Sequence, residues 1–160
     1  MRRALLSILF VFTLIVTLMP AGDASANGDP CSYAGDATKS LNAPGTLIGT
    51  SKNDILFGST GNDIIDGKGG NDIICGNGGT DTIKGGSGVD SIEAVDGSTI
   101  YGDSGADTLW LSGLYGEVSA AGDVPSGVAY GGSGNDDIFV SNGAVADGGA
   151  GSDYIELYNS

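Results

Sequence analysis

From Gly49 to Glu93 a single aliphatic position returns every nine residues, as Leu56, Ile65, Ile74, Ile83 and Ile92. The polar positions are as regular. Gly58, Gly67, Gly76 and Gly85 open successive units, Gly61, Gly70, Gly79 and Gly88 stand fourth, and Asp54, Asp63, Asp72, Asp81 and Asp90 stand sixth. This period fits neither an amphipathic helix nor a hairpin array. It predicts a solenoid in which tight turns alternate with very short strands. The last three residues of a unit, such as Ile73-Ile74-Cys75, form the strand. Alternation then sends the eighth residue inward and its neighbours outward. Two units complete one coil, and each coil buries an apolar residue that it could not bury alone.

The stride breaks twice. Gly85 to Gly102 and Gly131 to Gly148 each span one residue less than a full coil, across "AVDGSTIY" (94–101) and "VSNGAVAD" (140–147), which lack a sixth-place aspartate. Both read as coils with one acidic edge and one bare edge. On that count Asp54, Asp72, Asp90 and Asp107 share one edge, Asp63 and Asp81 the other, and Asp136 and Asp153 form a further pair. Residues 111–130 interrupt the repeats as an inserted loop or as degenerate coils; Pro125 and scattered glycines leave both open. Residues 27–48 lack the period and are expected to cap the open end.

"GGSGVDSIE" (85–93), "GGSGNDDIF" (131–139) and "GGAGSDYIE" (148–156) match every fixed position of G-G-x-G-x-D-x-U-x, where U is apolar. "GDSGADTLW", "GSTGNDIID", "GKGGNDIIC" and "GNGGTDTIK" depart at the second glycine, and "GTSKNDILF" also carries Lys52 at the fourth place. These units resemble the repeats-in-toxin (RTX) nonapeptide, the hemolysin-type calcium-binding repeat. The resemblance implies an all-β fold, a parallel β-roll (right-handed β-solenoid), with calcium ions between successive turns. Its metal residues would be Asp54, Asp63, Asp72, Asp81, Asp90, Asp107, Asp136 and Asp153. The chemistry agrees, since calcium takes about 6–8 oxygens from carboxylates and backbone carbonyls, and a glycine turn exposes carbonyls. If each ion bridges stacked turns, Asp72 serves two sites, one with Asp54 and one with Asp90.

Charge and the N-terminus narrow the setting. Arg2 and Arg3, an apolar run from Ala4 to Met19, Pro20 and Ala24-Ser25-Ala26 make an export signal over 1–26 with cleavage before Asn27. The alternative is an uncleaved anchor, for which the apolar run is short. The remaining chain is expected to be secreted and extracellular, as one domain with the roll over 49–160. It holds four lysines, no arginine and no histidine against nineteen acids, a net charge of about −15. With almost nothing to neutralise phosphates, nucleic acid is excluded as a partner. No membrane contact is expected after cleavage. A glycan or cell-surface partner stays open.

Motifs that look catalytic fail on inspection. "GDSG" (102–105) resembles a serine-protease nucleophile region, but it belongs to a repeat unit and no histidine exists to act as base. "DGKGGND" (66–72) lacks the third- and fifth-place ligands of an EF-hand, and Gly67-Lys68 is not a phosphate loop. The expectation is therefore a non-enzymatic calcium-binding module. Its rivals are a polysaccharide-acting enzyme, which needs a proton acceptor from Lys39, Lys52, Lys68 or Lys84, and a calcium-stabilised adhesin or matrix component. Paired carboxylates for glycoside hydrolysis are not excluded by count, but nearly every aspartate is claimed by a repeat column. Third-place residues Ser51, Thr60, Gly69, Gly78 and Ser87 give no regular row for ice binding.

Tyr101, Trp110, Phe139, Tyr130 and Tyr154 cluster in the second half, either packed over the sheet faces or forming a sugar-stacking platform. Ile55, Ile73 and Cys75 should project outward on one face, where the segment carrying Cys31 would cover them. In an oxidising compartment Cys31 and Cys75 are expected to pair, with two free thiols as the alternative.

Overall fold

The computed structural model describes residues 30–31, 34–35, 37–95, 97–112, 127–141 and 143–158. The expected export signal and most of the interrupting segment lie outside the described residues. Those described form thirteen strands and no helix. Seven strands make one parallel sheet: β1 (Lys39–Ser40), β3 (Ile55–Phe57), β5 (Ile73–Cys75), β7 (Ser91–Val95), β9 (Thr108–Ser112), β11 (Asp137–Ser141) and β13 (Tyr154–Tyr158). The other six, β2 (Thr46–Ile48), β4 (Ile64–Asp66), β6 (Thr82–Ser87), β8 (Thr99–Ser104), β10 (Val128–Ser133) and β12 (Val145–Ala150), make the facing sheet. Each coil gives one strand to each sheet, which is a β-solenoid of about six turns.

Register explains the core. The aliphatic column splits into two that face each other. Leu56, Ile74, Ile92, Leu109, Ile138 and Ile155 align in the seven-stranded sheet. Leu47, Ile65, Ile83, Ile100, Ala129 and Ala146 align in the other. From Leu56 to Ile138 these side chains are fully buried, but Ile155, in the edge strand β13, is 43% exposed. Burying one such isoleucine contributes roughly 1.5–3 kcal/mol. Where the strands lengthen to five residues, Ala94, Leu111 and Val140 add a further buried row.

The sequence placed a cap over 27–48, yet the roll starts inside that segment. Leu47 of β2 sits in register with Ile65 and is buried, and β1 pairs with β3. The period hid this because neither strand is preceded by a glycine-aspartate turn. The interrupting segment is also shorter than 111–130. Leu111 and Ser112 finish β9, Val128 opens β10, and β9 pairs directly with β11. The chain therefore leaves and re-enters the stack at one level.

Outward positions are occupied in pairs. The Tyr101 and Tyr130 rings stack at 5.1 Å between centroids on one sheet, and Trp110 and Phe139 stack at 4.1 Å on the other. Both pairs follow strand register, so the rings spend their faces on each other. Cys75, expected outward, is almost fully buried, because the N-terminal segment lies over it and a Cys31–Cys75 disulfide joins the two. Gly35 of the same segment lies against Ile55, which is half-buried. The bridge closes a separation of 44 residues, for which the chain-entropy model gives about 4 kcal/mol of stabilisation. Reduction in saturating calcium is expected to lower the melting temperature by several degrees; an unchanged melting curve would show that the segment contributes nothing as a clamp.

Candidate metal centre

The turns joining the strands carry the acidic residues, and their stacking is built from backbone. On one edge Asp54, Asp72, Asp90, Asp107 and Asp136 each donate their N–H to Oδ1 of the next aspartate in the column, ending on Asp153, at 2.8–3.1 Å. On the other edge Gly45 donates to Asp63 and Asp63 to Asp81, and Asp81 donates to the Ser98 hydroxyl. The structure thus corrects the edge count. Asp136 and Asp153 are no separate pair; they continue the column of Asp107. The opposite column runs Asp63, Asp81, Ser98, Gly127, Ala144, as the backbone bonds Thr99 N–H to Asp81 O, Val128 N–H to Ser98 O and Val145 N–H to Gly127 O show. Ser98, fully buried, fills the bare edge of its coil with a neutral acceptor. It eluded the sequence reading because one serine in an aperiodic stretch carries no signal.

Fifth-place asparagines form a second, outer ladder that the sequence reading also passed over. Asn53 Oδ1 accepts from Asn71 N–H, Asn71 from Val89, Asn62 from Thr80 and Asn135 from Ser152. The recurrence of "ND" in the repeats was the available clue. These amides satisfy turn N–H groups and leave the carboxylates to face inward.

From Asp63 onward each sixth-place carboxylate accepts its ladder bond on Oδ1, whereas Oδ1 of Asp54 accepts from the Thr38 hydroxyl at 3.2 Å. The second oxygen divides the turns into two kinds. Oδ2 of Asp72, Asp81, Asp90, Asp107 and Asp136 is buried without a hydrogen-bond partner. Oδ2 of Asp54 accepts from Thr50 N–H (2.6 Å) and the Thr50 hydroxyl (2.8 Å), and Oδ2 of Asp63 from Ser59 N–H (2.6 Å) and the Ser59 hydroxyl (2.9 Å). Backbone conformation tracks this division. Second-place Lys68, Asn77, Gly86, Asp103, Gly132 and Gly149 all have positive φ, whereas Thr50 and Ser59 do not.

The orphaned oxygens converge with backbone carbonyls. A methyl placed on Gly67 would lie 2.5 Å from both Asp72 Oδ2 and the Gly85 carbonyl oxygen; on Gly102 it would meet Asp107 Oδ2 at 2.5 Å and the Gly131 oxygen at 2.6 Å. First-place glycine is therefore required by the space between an aspartate and the coil stacked on it. Among the described residues no three acidic, histidine or cysteine side chains gather into a cluster. The oxygens here are one carboxylate plus carbonyls per turn, a hard donor set that suits calcium and offers a soft metal neither thiolate nor imidazole. Residues 45–74, 85–113 and 128–144 match the family model of the RTX calcium-binding nonapeptide repeat. The chain carries RTX calcium-binding repeats. No curated protein and no solved structure matches it.

In the RTX turns, burial pushes the orphaned carboxyls up: Asp72 to about 6, with the Asp90 and Asp54 charges adding, Asp81 to about 6, and Asp107 to about 7, where Asp90, Asp136 and Asp103 add. Burial raises Asp90 and Asp136 as well. Burial also acts upward on Asp54, but the Thr50 hydroxyl, Thr50 N–H and Thr38 hydroxyl together outweigh it and hold that carboxyl below its usual value. For the raised groups the folded chain binds more protons than the unfolded chain between about pH 4 and 7, so stability falls as pH rises through that window. In chelator, the metal-free chain is expected to keep more of its β-signal at pH 5 than at pH 8, measured by circular dichroism. A stronger β-signal at pH 8 would contradict burial as the controlling effect.

Proposed function

We propose that this chain is a secreted calcium-dependent β-roll, a structural or binding module without catalysis of its own. Its ions would be held by Asp72, Asp81, Asp90, Asp107, Asp136 and Asp153 together with carbonyls of the stacked turns. The single observation that carries this reading is the set of buried carboxylate oxygens without a partner, since an unpaired buried charge is among the most costly features a fold can contain. A bound cation removes that cost. The export signal read over 1–26 would deliver the chain to a compartment where calcium is abundant and disulfides persist.

An enzymatic role finds little support in the available bases. Lys39 Nζ donates to the Ile48 carbonyl (2.5 Å), Lys68 pairs with Asp66 (2.6 Å), and Lys84 lies over the Tyr101 ring. Three of the four lysines that a polysaccharide lyase would recruit are thus engaged in holding strands or turns. Among the described residues no helix is long and apolar enough to cross a membrane.

Calorimetric titration of the oxidised protein tests the reading. Calcium is expected to bind at several sites with a large heat, and magnesium weakly, because its near-octahedral, water-rich shell does not suit turns built of fixed carbonyls. Equal response to both ions, or none to calcium, would overturn it. Turnover of acidic polysaccharides by the same sample would move the assignment to the enzymatic class.

A further inference from the structure

We infer that the first two turns, 49–54 and 58–63, take no calcium, because the Thr50 and Ser59 hydroxyls occupy the carboxylate oxygen that a cation would otherwise receive. This rests on the calcium-binding reading above and divides its eight aspartates into six that face a cation and two that are closed by the chain itself.

The two turns differ from the others at three coupled points. Thr50 and Ser59 stand at the second place, where every other turn has a residue with positive φ. Lacking that conformation, they aim both N–H and hydroxyl at Oδ2 of the sixth-place aspartate. The same hydroxyls then accept from the fourth-place backbone, Thr50 from Lys52 N–H and Ser59 from Gly61 N–H, both at 3.1 Å. Lys52 and Gly61 are also without the positive φ found at Gly70, Gly79, Gly88, Gly105, Gly134 and Gly151. One side chain therefore satisfies the carboxylate and ties down the turn that would wrap an ion.

The closed turn at 58–63 otherwise has what an open one has. A methyl on Gly58 would lie 2.5 Å from the Gly76 carbonyl oxygen and 2.9 Å from Asp63 Oδ2, the same convergence seen at Gly67. Ser59 closes this turn by taking Asp63 Oδ2 and holding the Gly61 N–H. Both closed turns lie at the N-terminal end, where the Cys31–Cys75 bridge also acts. The roll thereby begins with a coil that needs neither ion, on which the calcium-loaded coils can stack.

Ser59→Gly restores an open second place. Calcium stoichiometry, measured by equilibrium dialysis on full-length oxidised protein, is expected to rise by one ion over the parent. Asp63→Asn is expected to leave the stoichiometry at the parent value, whereas Asp81→Asn, one turn along the same edge, loses an ion. Circular dichroism in saturating calcium confirms that each variant is folded. If Ser59→Gly gains nothing and Asp63→Asn loses an ion, Asp63 is a ligand in the parent and the inference falls, while the calcium reading stands. A parent that binds no calcium would overturn both.

Discussion

Excess chelator is expected to abolish most of the far-ultraviolet β-signal of this protein and millimolar calcium to restore it. Five buried carboxylates each hold an oxygen that nothing satisfies. Leaving even a neutral buried group unpaired costs about 1–3 kcal/mol, and a charged group more. Five such costs rival the entire 5–15 kcal/mol by which a domain of this size is ordinarily stable. The net charge of −14 adds repulsion between coils stacked at strand spacing. Calcium reverses both effects and contributes binding free energy of roughly 2.7 kcal/mol per site at a hundredfold excess over Kd. Protonation can relieve the charge in acid, so the measurement belongs at pH 7.5 or above, where the raised carboxyls are ionised. Spectra that coincide with and without calcium at that pH would show that the apolar columns alone hold the roll.

The core was legible because its signal is periodic and redundant. Leu56 through Ile92 recur at one spacing, and the strands lie where that spacing put them. First-place glycine was legible for a related reason, since Gly58, Gly67, Gly85, Gly102 and Gly131 repeat the same close approach to a carboxylate and a carbonyl. The repeat count puts Asp107 on the edge of Asp90 and pairs Asp136 with Asp153, as the ladder has them, but register across 111–130 was not legible. An insertion of unknown length stood between Asp107 and Asp136; the pairing of β9 with β11 and the hydrogen bond from Asp107 N–H to Asp136 Oδ1, across a separation of 29, show that they share an edge. The strands β1 and β2 were missed because a strand without its glycine turn has no periodic marker.

The two kinds of turn were the hardest to see. Asp63 and Asp72 occupy identical columns, and their units differ at the second place by Ser59 against Lys68. Substitution by a hydroxyl residue looks milder there than lysine for glycine. Yet Lys68 adopts the left-handed conformation at φ 81° and leaves Asp72 open, while Ser59 does not and closes Asp63. Local backbone conformation, which pattern matching does not weigh, decides what the carboxylate meets.

That division also moves the most sensitive residue along the column. Pattern alone put Asp72 between two metal sites, shared with Asp54 and Asp90, but Asp54 has its second oxygen taken by Thr50. Two residues of this column are flanked on both sides by orphaned carboxylates, Asp90 between Asp72 and Asp107, and Asp107 between Asp90 and Asp136. Asp107 accepts from Asp90 N–H and donates to Asp136 Oδ1, so it ties together the coils on either side of the interrupting segment. Asp107→Ala removes the acceptor of a buried N–H, a carboxylate from the ion's surroundings and a link in mid-stack. Its expected cost in saturating calcium is about 2–4 kcal/mol, in the range for losing a charged buried hydrogen-bond partner. Asp153 is only half-buried, in the turn leading to the edge strand β13, and accepts one bond from Asp136 N–H at 3.1 Å. Asp153→Ala is expected to cost under about 1 kcal/mol, because edge coils fray and contribute less to the cooperative unit. The calcium midpoint for folding should rise in the same order, with Asp107→Ala well above Asp153→Ala and the parent lowest. Equal midpoints, or a larger shift for Asp153→Ala, would mean that the ions do not depend on the column as stacked.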